Sequence, residues 1–129
     1  MSRVPDGAGV RAAVEAVADW LDAPDGEAAR PGRSALAGAV RATVGALAGE
    51  LPGRAVELRV PPYAAAQCVE GPRHTRGTPP NVVETDARTW LGLATGRVAW
   101  EDAVADGRVR ASGTRAGEIA RALPVVTTR

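Results

Sequence analysis

Between residues 8 and 21 the apolar positions recur at helical spacing. Val10, Val14, Val17 and Leu21 are separated by four, three and four residues and share one face. Ala13 and Trp20 widen that face. Arg11, Glu15 and Asp19 make a polar stripe opposite it, and Asp6 stands where an N-cap is expected. Residues 22–33, DAPDGEAARPGR, combine Pro, Gly and charge and predict a flexible linker, so the first helix is expected to dock only loosely. Periodicity resumes at Ser34, a suitable N-cap, and runs to Leu51, where Pro52-Gly53 stops it. Leu36, Val40, Val44, Leu47 and Leu51 form its apolar face. Gly38, Ala42, Gly45 and Gly49 form a second face of small residues. An interior glycine costs a helix about 1 kcal/mol relative to Ala. This face therefore predicts a close neighbour: the first helix, the sheet, a dimer partner or a ligand-cavity wall.

The period then changes to two. Val56, Leu58 and Val60 alternate with Glu57 and Arg59, as in a half-exposed strand, and Pro61-Pro62 break it. Residues 63–69, YAAAQCV, suit a second strand, but their register is ambiguous because both faces are nearly apolar. A turn-rich segment, 70–80, leads to a third short strand at 81–85. Asp86 or Thr85 caps a helix over 87–95 presenting Trp90, Leu91 and Ala94, with Gly96 as its stop. A short helix from Trp100 to Asp106 ends at Gly107. A fourth strand over 108–112 turns Val109 and Ala111 inward and Arg108 and Arg110 outward. A last helix, 115–123, presents Ala116, Ile119, Ala120 and Leu123 and ends at Pro124.

Composition narrows the chemistry. The 129 residues fit one compact domain. Ala occurs 27 times, Val 16, Leu 8 and Ile once, and Phe is absent, so the core must be thin and lean on three Trp. The net charge of +1 argues against disorder. All 16 basic residues are Arg, a pattern of codon bias in a chain rich in Ala, Gly and Pro. Balanced charge does not suit a dedicated nucleic-acid binder. No apolar run is long enough to span a membrane, and MSRVPDGAGV has no signal core, so a cytoplasmic location is expected. One Cys and one His cannot build a Cys/His zinc site, and no metal or cofactor is expected. No P-loop, dinucleotide fingerprint or nucleophile elbow occurs.

The second half carries an ordered punctuation: TDARTWLGLATG, WEDAVADG, RVRASG, TRAGEIARAL, with stops at Gly96, Gly107 and Gly113. This layout resembles the sterol carrier protein type-two family. The preceding VELRVPPYAAAQCVEGPRHTRGTPPNVVETD is similar to its small bacterial branch, and the resemblance covers about residues 34–124. It implies an α+β fold: a small, mostly antiparallel sheet with helices packed over one face and an apolar cavity between them. It divides the chain into an N-terminal helix and flexible linker, 1–33, and a sterol-carrier-like domain, 34–129. Members bind lipids, acyl chains or sterols, and related domains are fused to thiol-dependent isomerases and acyltransferases. Fold alone does not fix function.

The function expected is thus non-enzymatic binding of a hydrophobic small molecule. The ligand-binding candidates are Val60, Tyr63, Val82, Trp90, Leu91 and Trp100, since large aromatics suit a pocket mouth as well as a core. Arg73 and Arg76, in the loop GPRHTRG, offer guanidiniums to an anionic head group. Two alternatives remain. A structural module would dimerise or dock on a protein through Gly38, Ala42 and Gly45. An accessory of thiol or acyl-transfer chemistry would rest on Cys68 and His74, although Cys68 ends an apolar strand and reads as a small buried hydrophobe. Glu101, Asp102 and Asp106 read as a solvated helix face.

Overall fold

A computed structural model describes residues 7–24, 29–71 and 81–128. Three helices come first: α1 (Gly7–Glu15), α2 (Ala18–Asp22) and α3 (Arg33–Glu50). Strands β1 (Val56–Val60), β2 (Ala64–Cys68) and β3 (Val82–Thr85) follow. Then come α4 (Ala87–Thr95), α5 (Trp100–Ala105), β4 (Val109–Ser112) and a closing 3-10 helix (Ala116–Ala122). The class is α+β, as the sequence predicts. The four strands are ordered β2-β1-β3-β4; β1 pairs in parallel with β3, and both outer pairings are antiparallel.

The register settles what YAAAQCV leaves open. Val56 faces Cys68, Leu58 faces Ala66 and Val60 faces Ala64, so the apolar row of β1 continues across β2 on the helix side. Val83 pairs with Leu58 and extends the row into β3. The opposite face carries Glu57, Arg59, Glu84 and Arg110, joined as Arg59–Glu57 (2.5 Å), Arg59–Glu84 (4.0 Å) and Arg110–Glu84 (2.6 Å). Helices thus cover one face and charge covers the other.

The core that fills the covered side is built around Trp90. Its side chain is fully buried in a core cluster that includes Leu36, Val40, Leu47, Leu58, Leu91 and Ile119. The indole N–H donates to Thr43 Oγ1 at 2.8 Å, and that hydroxyl donates to the carbonyl of Ala39 at 2.7 Å. A buried polar group without a partner costs about 1–3 kcal/mol, so this bond allows the largest side chain to sit at the centre.

Several boundaries differ from the sequence reading. The stripe at 8–21 is broken at Val17, where the amide bonds back three residues to Val14. The break lets one stripe serve two neighbours. Val10 and Val14 pack with Val126, Ala42 and Ala46, while Val17 and Trp20 enter the main core. The expected loose docking is therefore replaced by burial, and three arginines hold it: Arg97 pairs with Asp22 (2.6 Å), Arg88 donates to the Ala23 carbonyl (2.6 Å) and lies over the Trp20 ring, and Arg11 donates to the Thr127 carbonyl (2.5 Å). The Asp6 cap lies outside the described residues.

Gly32, not Ser34, is the N-cap of α3, and it supplies no side-chain bond; Ser34 sits inside the first turn. Ala111 is exposed rather than inward, because β4 is an edge strand and only Val109 is covered. The last helix is 3-10, and its three-residue period buries Ala116, Ile119 and Ala122 instead of Ala120 and Leu123. By contrast, Asp86 caps α4 by accepting from the Thr89 amide, and Gly96 closes it at φ 80°. Gly53 is required by contact: a Cβ there would lie 2.1 Å from the carbonyl oxygen of Val69, itself left-handed at φ 70°.

The small face of α3 has two fates. Ala42 packs beside α1, as a close-neighbour reading expects. Gly38 has no such neighbour: a Cβ placed on it meets no atom within 4 Å.

Two outcomes are expected in urea titration. Trp90→Ala loses about 3–5 kcal/mol of stability, and unchanged stability would remove Trp90 from the core. Gly38→Ala gains about 0.5–1 kcal/mol from helix propensity; a loss would show a hidden close contact.

Candidate functional site

The residues expected to bind a ligand are not brought together at one place. Val60, Trp90 and Leu91 are fully buried, so their side chains fill the space between sheet and helices where a cavity is expected. Trp100, at the start of α5, is half-buried against the same core. Val82 lies on the charged face of the sheet and lines a groove with Val104, Val109 and Arg110 along β4. Tyr63 alone combines partial burial with open space on both sides.

The position of Tyr63 follows from the turn that holds it. Pro61-Pro62 end β1, and the amide of Tyr63 donates to the Val60 carbonyl at 3.0 Å, which tightens the turn before β2 begins. Its own carbonyl accepts from Nε of Arg41 on α3 at 3.1 Å. Tyr63 lines a groove of about 560 Å³ against the first three turns of α3, together with Arg33, Ser34, Ala37, Gly38, Arg41 and Pro62. It also lines a second groove, of about 480 Å³, with Arg59, Pro61, Pro62, Ala64, Ala65 and Glu84. The floor is apolar and shallow because Gly38, Ala37, Ala64 and Ala65 carry little side chain. The rim is basic. Such a site can hold an apolar body by contact and a polar end by hydrogen bonds.

A further groove, of about 540 Å³, lies between α2 and α4, with Leu21, Pro24, Thr89, Val98 and the guanidiniums of Arg88, Arg97 and Arg108 in its walls. Its arginines are engaged internally. Arg97 and Arg88 hold α2, and Arg108 pairs with Asp106 at 2.7 Å, which keeps that carboxyl below the usual carboxylate range. Asp22 is likewise held low by its bond to Arg97. Glu101 and Asp102 are exposed.

Cys68 ends β2 inside the core, and burial pushes its thiol up to about 11. A protonated, enclosed thiol is a poor nucleophile. His74, Arg73 and Arg76 lie outside the described residues. Among the described residues no group of three or more His, Cys, Asp or Glu is placed to hold a metal ion, and no helix is long and apolar enough to cross a membrane.

Sequence reasoning missed Arg33, Gly38 and Arg41 as one site. The signal was present in the 33-34-37-38-41 spacing, one helix face of small and basic residues. What the sequence does not contain is that the Pro61-Pro62 turn comes back to that face.

Comparison with known proteins gives one result. A family model described as bacterial SCP ortholog matches residues 32–125. A search of curated proteins finds no match.

The state of Cys68 is directly testable. In the folded protein a thiol reagent at pH 8 is expected to leave it unmodified, and modification should appear in urea. Because the folded thiol holds its proton longer than an unfolded one, stability is present at neutral pH. It should fall by up to about 1.4 kcal/mol per pH unit as pH rises from 9.0 toward about 11. A thiol modified rapidly in the native state would contradict its burial.

Proposed function

Because this chain belongs to the bacterial SCP ortholog family, whose model matches most of its length, we propose that it is a non-enzymatic carrier domain for a hydrophobic small molecule. The ligand is lipid-like: an acyl chain or a flat ring system. It sits on the outer rim, at the two grooves that flank Tyr63, rather than in a cavity between sheet and helices.

One observation carries this reading. Tyr63 is the one candidate aromatic that lies between two open, apolar-floored grooves, while Trp90 is buried and already hydrogen-bonded. An aromatic ring offers a large contact area at small conformational cost. Val60, Trp90 and Leu91 then serve as the rigid body behind the site, and Val82 and Trp100 line neither groove. A catalytic role finds no support at Cys68, whose thiol is buried and protonated.

The test is native mass spectrometry and calorimetry with dodecanol, dodecanoate and cholesterol. The wild-type protein is expected to bind at least one of them stoichiometrically. Gly38→Leu fills the α3 groove from a position open to solvent, and Tyr63→Ala removes the ring. Each should weaken binding by about tenfold or more with an unchanged circular dichroism spectrum. No binding by the wild type would remove the carrier reading. Full binding by both variants would remove the site.

A further inference from the structure

We infer that the groove between α3 and Tyr63 selects amphiphiles with an oxyanion at one end, held by Arg33 and Arg41. The inference rests on the carrier reading and specifies its ligand: a single apolar chain ending in a carboxylate or a phosphate.

Among the described residues the α3 groove is lined by two guanidiniums and no carboxylate. Each of the other four grooves contains Glu84 or Asp86. Five other arginines have a carboxylate partner, Arg59 with Glu57, Arg97 with Asp22, Arg108 with Asp106, Arg110 with Glu84 and Arg115 with Glu118, while Arg11 donates to the Thr127 carbonyl and Arg30 lies over the Trp20 ring. Among the described residues neither Arg33 nor Arg41 has a carboxylate within ion-pair distance. Two guanidiniums that share one concave site, with no carboxylate among the described residues that line it, are the complement of an anion.

Arg41 is anchored, since its Nε donates to the Tyr63 carbonyl, and a guanidinium with one N–H so engaged keeps four others. Arg33 and Arg41 are eight residues apart, about 12 Å along a helix, and both line the groove against α3. Ser34 adds a hydroxyl between them. The first-turn amides of α3 lie at the same end and are left without a side-chain cap by Gly32, which adds to the positive potential.

Beside the cations the surface is Ala37, open Gly38 and the Tyr63 ring, and beyond Tyr63 it continues over Ala64 and Ala65. The next charges along that path, Arg59 and Glu84, pair with each other. The site is therefore cationic against α3 and apolar where it continues over Tyr63, Ala64 and Ala65. A free inorganic anion would use the first part only, and a neutral lipid the second only.

Calorimetry with four probes, all below micelle concentration, tests this: dodecanoate, dodecyl phosphate, dodecanol and inorganic phosphate. The wild type should bind both anionic amphiphiles about tenfold or more tighter than dodecanol, as expected for charge-assisted hydrogen bonds. That preference should shrink as salt is raised. The Arg33→Gln, Arg41→Gln double variant should bind all three chains alike, with unchanged thermal stability. Equal, tight binding of dodecanol and dodecanoate by the wild type would overturn the inference and leave the carrier reading intact. So would a double variant that keeps the anion preference. Binding of inorganic phosphate with no binding of any chain would overturn both. Adsorption to phosphatidylglycerol vesicles without binding of monomeric dodecanoate would also overturn the inference, and would point to a membrane surface instead.

Discussion

The hydrogen bond from the Trp90 indole to Thr43 is the contact on which the rest of the packing depends. It joins α4 to α3 at the middle of a core that has no phenylalanine and only one isoleucine. With alanine supplying so much of the apolar surface, few side chains can span the space between two elements. Trp90 is the largest of those fully buried. Thr43 passes the bond on to the α3 backbone, so the ring is tied to a rigid helix and not to a mobile side chain. The placement of α4 against α3 follows from this tie.

The same tie decides where binding can occur. A ring that is enclosed and saturated leaves no room beside it, and interiors are packed nearly as densely as organic crystals. Openness instead lies at the margin, where Ala64, Ala65 and Gly38 line grooves beside the partly buried Tyr63. Small residues thus have opposite effects in the two places. In the interior they force dependence on one tryptophan, and at the rim they create the relief.

Most of the element order was legible in the sequence, because it is written in local signals. The alternation at 56–60, the Asp86 cap and the Gly96 stop each act within a few residues. What local signals could not convey was non-local. The bend at Val17 depends on two separate clusters competing for one stripe. The exposure of Ala111 depends on β4 having no outer neighbour. The 3-10 geometry after Arg115 is a matter of three residues per turn against nearly four, and an Ala-rich segment reads equally well in both. Tyr63 was legible as a candidate; its partners on α3 were not, since the contact spans 22 residues and is made through a backbone carbonyl.

The two margins of the sheet share one further property. β2 has only five residues, bounded by Pro61-Pro62 before it and left-handed Val69 after it, and β4 has four, with Arg110 and Ser112 on its open face. Neither offers a long, flat ladder of free amides and carbonyls to another chain. A polypeptide this rich in alanine and valine is thereby kept from growing its sheet outward, copy upon copy, into fibrous aggregates.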